Sequence, residues 1–168
     1  TQARAIEDAL IKYGYPYRIY GGLRFYERKE IKDTLAYLRL LINPADDISL
    51  TRIINEPKRS IGASTLKKLE EGARAKGVSI YEVLNDEAVL ERLTPSAKKS
   101  VQKFYQMMEH LKEESKELSV AELLENLWTA VGYRTHLEAN DPISAETRLE
   151  NLKEFVAAAV EFEHNMQL

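Results

Sequence analysis

The sequence has no cysteine, which removes disulfide frameworks and thiolate metal sites and is compatible with a reducing compartment. It has no Gly-Lys-Ser or Gly-Lys-Thr. A phosphate-binding P-loop is therefore missing, and the chain by itself is not expected to hydrolyse ATP. No G-x-S-x-G elbow occurs either, which leaves no serine-hydrolase signature. The three histidines, His110, His136 and His164, share no local metal-ligand spacing and read as ordinary surface or core residues. No apolar run approaches the roughly 20 residues that span a bilayer, and no charged-then-apolar leader opens the sequence. A cytoplasmic protein with no membrane partner is the expectation. Catalytic residues, metal ligands and cofactor-binding residues are expected to be absent from this chain.

What is present is an ordinary globular balance: 168 residues, 44% hydrophobic and 30% charged, enough for one domain, or one domain with part of a neighbour, and a real core. The net charge of −3 hides a strong asymmetry. Residues 52–76 carry seven basic groups (Arg52, Lys58, Arg59, Lys67, Lys68, Arg74, Lys76) against Glu56, Glu70 and Glu71. Residues 105–168 carry thirteen acidic and five basic groups. One stretch attracts phosphate and the other repels it, so any nucleic-acid contact should be local.

Helical periodicity dominates. Ala3, Ile6, Ala9, Leu10 and Tyr13 predict a helix over 2–13, ended by Gly14. Tyr17, Ile19 and Tyr20, closed by Gly21-Gly22, predict one short strand. Ile31, Leu35 and Leu38 predict a long helix from Glu27 that stops before Pro44, with Arg28, Lys29, Lys32 and Arg39 on a solvated face. Further helices are predicted over 48–55, with Asp46 and Asp47 at its positive end, over 64–76 with Gly77 as C-cap, and from near Ser79. Asp86-Glu87 reads as a surface turn. Thr94-Pro95 starts a helix running to about Glu117. Ser119 caps the next, which Gly132 ends and in which Trp128 belongs to the core. A short helix over 133–139, a turn at Asn140-Asp141-Pro142 and a helix from Ser144 to about His164 complete the chain. The fold class is mainly α, an irregular multi-helix domain with one short N-terminal β-strand.

The chain is organised around Asn55-Glu56-Pro57-Lys58-Arg59-Ser60-Ile61-Gly62-Ala63-Ser64-Thr65-Leu66, a basic, glycine-bearing, hydroxyl-rich turn between two helical patterns. Pro57 lacks an N–H and stops the helix before it. Gly62 is expected to take positive φ or to admit a strand of nucleic acid, and Ser64 or Thr65 to cap the next helix. The first N–H groups of that helix have no intrahelical partner and, with the positive end of the dipole, suit an anion. The candidate phosphate-contacting residues are Lys58, Arg59, Ser60, Ile61, Gly62, Ala63, Ser64, Thr65, Lys67 and Lys68, with the main-chain N–H groups of Ile61 to Ser64 as donors. The same residues also suit a corner that only changes the chain's direction.

The segment PKRSIGASTLKKL resembles the helix-hairpin-helix-type "GIG" element in the 2B subdomain of UvrD/PcrA/Rep-like superfamily 1 DNA helicases. YPYRIYGGLRFYERKEIKDTLAYLRLLINPADD resembles the stretch leading from the 2A subdomain of that family into 2B, and the two occur in the family's order. Thr1-Gln2-Ala3-Arg4 is similar to the end of an N-x-Q-S-R segment, with Thr1 and Ala3 as departures. Thr147-Arg148-Leu149-Glu150-Asn151-Leu152 is similar to an S/T-R-L/I-E-N-L motif. The resemblance implies that residues 1–25 are a fragment of motor subdomain 2A, that 26–168 form the helical 2B subdomain, and that Phe25, Tyr26 and Arg28 lie at their junction. It further implies a parent that is an ATP-dependent 3′-to-5′ DNA helicase using ATP and Mg²⁺. The partners implied are double-stranded DNA or a single/double-strand junction, and the adjacent motor subdomains. A reading of another class is a helical protein-interaction module that does not bind DNA, supported by the acidic C-terminal third.

Overall fold

The computed structural model describes residues 27–166. The strand predicted over 17–20, the helix over 2–13 and the proposed 2A fragment lie outside these residues. Among the described residues the elements are all helical: α1 (Lys29–Ile42), α2 (Asp47–Ile53), α3 (Ala63–Lys76), α4 (Ile80–Val83), α5 (Glu87–Leu90), α6 (Pro95–Glu114), α7 (Val120–Val131), α8 (Tyr133–Asn140) and α9 (Pro142–Met166). The mainly α class follows directly from the 3.6-residue periodicity.

Local signals set most boundaries. Thr94 Oγ1 accepts from Ala97 N–H at 3.2 Å with Pro95 in the first turn, and Ser119 forms a reciprocal capping box with Glu122. Such caps contribute about 1 kcal/mol each. Gly77 and Gly132 both take φ 66° and end α3 and α7 in the left-handed conformation, where a Cβ would be strained.

Several boundaries differ from expectation. Asp86-Glu87 is not a bare turn: Asp86 caps α5, accepting from Val89 N–H, and pairs with Lys76. The last helix begins at Pro142 rather than Ser144, because proline's fixed φ suits a first helical turn and Asp141 Oδ1 receives the Ser144 hydroxyl at 3.0 Å. The helix α6 ends at Glu114, with Lys116 and Glu117 continuing as hydrogen-bonded turns.

The helix α1 is central, packing against α2, α6 and α9. Its apolar residues Ile31, Leu35, Leu38 and Leu40 lie in one continuous core with Leu50, Phe104, Leu127 and Phe155. Arg28, Lys29, Lys32 and Arg39 are exposed as expected, yet α1 is not simply amphipathic. Glu30, Asp33 and Thr34 are also buried, and each has a partner on another helix: Asn151 of α9, Arg52 of α2 and Trp128 of α7. Buried polar groups persist where they are paired.

Candidate nucleic-acid interface

The turn between α2 and α3 is built from both sides. Asp46 caps α2, receiving Ser49 N–H at 3.0 Å and the Ser49 hydroxyl at 2.7 Å. Desolvation raises its carboxyl, but those bonds outweigh it and hold the group below the ordinary aspartate value. Downstream of α2, the Asn55 side chain takes over from the helical ladder. Its Oδ1 accepts from the N–H groups of Arg59 at 2.7 Å and of Ile61 at 3.2 Å. The residues between then alternate: Lys58, Ser60 and Gly62 are exposed, whereas Arg59 is half-buried and Ile61 is 1% exposed.

This alternation redistributes the candidate contacts. Ile61 is a core residue whose N–H is already used by Asn55. The Arg59 guanidinium turns inward: Nη1 donates to the carbonyls of Ile53 at 2.7 Å and Ile54 at 3.1 Å, and Nη2 donates to the Tyr37 hydroxyl. The guanidinium also lies 5.1 Å from the centre of the Phe104 ring and 5.7 Å from that of Tyr37. Arg59 and Ile61 are thus roots of the turn rather than its surface.

The start of α3 also differs from expectation. Gly62 is the N-cap at φ −81° and ψ −175°, without a side-chain cap, and the residue with positive φ is Ser60 at 63°. Ser64 and Thr65 lie inside the first turn instead of capping it. Gly62, Ala63 and Ser64 are exposed and Thr65 is half-buried. Among the described residues the N–H groups of Gly62, Ala63, Ser64 and Thr65 have no acceptor, while Leu66 N–H closes the first helical bond onto Gly62. A Cβ built on Gly62 would meet no heavy atom within 4 Å. Neither backbone conformation nor internal packing therefore requires glycine there.

Around this helix start, Lys58 and Lys67 are exposed. No carboxylate partner is found for either among the described residues. Lys68 is half-buried, and its Nζ donates to the Arg92 carbonyl at 3.3 Å. Exposed Lys58 precedes and exposed Lys67 follows the unpaired N–H groups at the positive end of this 14-residue helix, the chemistry that binds an anion.

Tyr37, Asn55 and the partners of α1 were not among the sequence candidates. Lys29, Asp33 and Tyr37 are spaced i, i+4, i+8 along one stripe of α1, and that spacing was the available signal. Lys29 pairs with Glu56 at 3.1 Å, Asp33 with Arg52 at 2.9 Å, and the Tyr37 hydroxyl donates to the Glu56 carbonyl at 2.8 Å. Burial pushes the Tyr37 phenol up to about 12 while Arg59 opposes the shift, so the phenol stays protonated and can donate to Glu56 while accepting from Arg59. Glu56 also meets His136 of α8 at 3.0 Å.

The remaining candidates fall into place as structure. Trp128 lies against the core with its Nε1 donating to Thr34 at 3.0 Å. Among the described residues no group of three or more His, Asp or Glu side chains could hold a metal ion, and no helix is long and apolar enough to cross a membrane.

Comparison with known proteins covers the whole chain. Residues 1–168 match the UvrD-like helicase C-terminal domain. The chain is 42% identical over 167 residues to the ATP-dependent DNA helicase PcrA of Bacillus subtilis, covering 99% of this chain and 22% of that protein. It is 42% identical to the PcrA of Leuconostoc citreum, again over 99% of this chain and 22% of the relative. It is 38% identical to that of Staphylococcus epidermidis, over 100% of this chain and 23% of the relative. The chain thus spans less than a quarter of the length of these relatives.

Proposed function

The chain belongs to the UvrD-like helicase C-terminal domain family, and from that membership we propose that it is the duplex-DNA-binding regulatory part of an ATP-dependent 3′-to-5′ DNA helicase. In this reading residues 1–25 are a piece of motor subdomain 2A and residues 26–168 are subdomain 2B. Its partners are duplex DNA, or a single/double-strand junction, and the adjacent motor subdomains. ATP and Mg²⁺ belong to the rest of the parent, since this chain carries no P-loop to cradle a triphosphate.

One observation carries the proposal. The start of α3 is exposed, uncapped by any side chain and flanked by Lys58 and Lys67, while Gly62 has open space where its Cβ would lie. A glycine needed only for the corner would be expected at positive φ or against a crowded neighbour. Gly62 has neither, which favours a reason outside the fold, namely close approach of a phosphate backbone to the main chain. The side chains of Lys58, Ser60, Ser64, Thr65, Lys67 and Lys68 and the N–H groups of Gly62 to Thr65 form the contact surface. Its contacts go to phosphate and carry no base information.

The test is a chemical-shift titration of the chain with a short hairpin duplex. Shifts concentrated on residues 58, 60, 62–65, 67 and 68 are expected. Shifts absent there would leave a helical module that receives another protein and touches no DNA.

A further inference from the structure

We propose that Arg59 is a positioning residue of the duplex-binding turn, acting with Tyr37 and making no phosphate contact of its own. This rests on the duplex-binding reading above, and it removes from the contact surface the arginine that the sequence places in the middle of it.

Ser60 is held at φ 63°, a conformation that a side chain disfavours by roughly 1 kcal/mol or more. The turn is therefore not the chain's default path and needs anchors. Two flank it: Ile61, buried in the core, and Arg59, whose planar fork meets several acceptors at once. Nη1 spans the Ile53 and Ile54 carbonyls, which close the C-terminal end of α2. Nη2 reaches the Tyr37 hydroxyl on α1, and that hydroxyl donates onward to the Glu56 carbonyl at 2.8 Å. The guanidinium also lies over two aromatic rings, Tyr37 from α1 and Phe104 from α6, where a delocalised cation is stabilised. One side chain thus fixes the end of α2 to α1 and α6. The outward residues Lys58, Ser60 and Gly62 are then displayed in a single arrangement. Without that tie only a fraction of molecules would present the turn correctly, and apparent affinity falls by that fraction.

Lysine cannot replace the fork, because a point charge on a flexible stem cannot span two carbonyls and a phenol. It would serve well as a phosphate contact. Arg59→Lys therefore separates the two roles. Duplex binding of the 168-residue chain is measured against salt for the unsubstituted sequence, which is the parent of these variants, and for Arg59→Lys, Arg59→Gln, Tyr37→Phe and Lys58→Gln, with amide hydrogen exchange on each. Both Arg59 variants are expected to weaken binding by about five- to thirtyfold with lines parallel to the parent's, and Tyr37→Phe to weaken it in the same direction. Lys58→Gln is expected to flatten the slope by about 0.9. Exchange protection at the Ile61 amide should drop in the Arg59 variants, while amides inside α1 and α6 keep theirs. A general loss of stability would lower all of them together.

A flattened slope in Arg59→Gln with near-parental binding in Arg59→Lys would overturn the proposal and make Arg59 a phosphate contact, leaving the duplex reading intact. Unchanged Ile61 protection in both Arg59 variants would also overturn it. If the parent binds no duplex, the duplex-binding reading fails and with it the role assigned to Arg59, whatever the exchange data show about the turn.

Discussion

Gly72 of α3 lies against Val89 of α5 so closely that a Cβ at position 72 would fall 2.8 Å from Val89 Cγ2 and 3.0 Å from Cγ1. Val89 is 4% exposed and stiff at χ1, so the contact cannot be relieved by swinging a flexible chain end. Alanine within a helix gains about 1 kcal/mol over glycine, whereas overpacking costs about 1–3 kcal/mol. Gly72→Ala is expected to be net destabilising by about 1 kcal/mol. In a Val89→Ala background the same substitution should become stabilising, because only the propensity gain remains. Urea denaturation of the four members of this cycle decides it. Destabilisation of equal size in both backgrounds would remove Val89 as the cause.

Gly62 is the opposite case, a glycine with open space around it. Serine is a better N-cap than glycine, and its Cβ would meet nothing inside the protein. Gly62→Ser should therefore raise thermal stability slightly. It should weaken duplex binding, since the new side chain occupies the space before α3 and its hydroxyl takes an N–H that a phosphate would use. Opposite signs from one substitution are the expected result. Stability and binding that fall together would show that the glycine serves the fold.

With Arg59 turned inward, Lys58, Lys67 and Lys68 are the side-chain cations of the proposed contact surface. Each neutralised phosphate contributes about −0.9 to the slope of log K against log salt, so the slope should be no steeper than about −3. Affinity should be independent of base sequence. Fluorescence anisotropy with two hairpins of different sequence across a salt series checks both. A markedly steeper slope would require cations elsewhere on the chain.

The cap of α2 has a pH signature. The Asp46 carboxyl is held below its ordinary value in the folded protein. Its contribution is therefore complete above the unfolded value and is lost as the pH falls through the folded one. Asp46→Ala should cost about 1 kcal/mol at neutral pH. The gap from the parent should persist down to about pH 4 and close below it. Denaturant melts over a pH series measure it, and a gap that is constant into strong acid would mean that the neutral acid caps equally well.

Asn151 supplies Glu30 with a hydrogen bond at 3.0 Å between α9 and α1, with Glu30 only 3% and Asn151 8% exposed. Asn151→Leu leaves the carboxylate without that donor and should cost about 1–3 kcal/mol. Adding Glu30→Met removes the stranded charge and should recover much of the loss. Additive losses in the double variant would show that the two groups do not depend on each other.

Helix positions in this chain were legible because capping and termination are local. Thr94-Pro95, the Ser119 box, Gly77 and Gly132 act within a few residues of themselves, so their roles do not depend on the rest of the fold. The short helix after Asp86 was missed because four residues carry too little periodicity to register. The basic turn, its place between two helices and the lysines Lys58, Lys67 and Lys68 beside it were equally plain in the sequence. So was the family resemblance, carried by the turn itself and by the stretch upstream of it.

Which way each residue of that turn faces was decided by tertiary structure. Arg59 and Lys58 are neighbours of like charge, and nothing within the turn distinguishes them. Only the arrival of Tyr37 from α1 and Phe104 from α6, together with the open carbonyls of α2, gives an arginine more inside than water offers outside. Ser60 rather than Gly62 takes the positive φ for the same reason, since Asn55 and the buried Ile61 set the path and the residue between them must follow it. The burial of Glu30, Asp33 and Thr34 on α1 could not be read locally, because their partners Asn151, Arg52 and Trp128 lie far along the chain. Charge and periodicity are local properties that a sequence displays. Burial and partnership are properties of the surfaces that folding brings together.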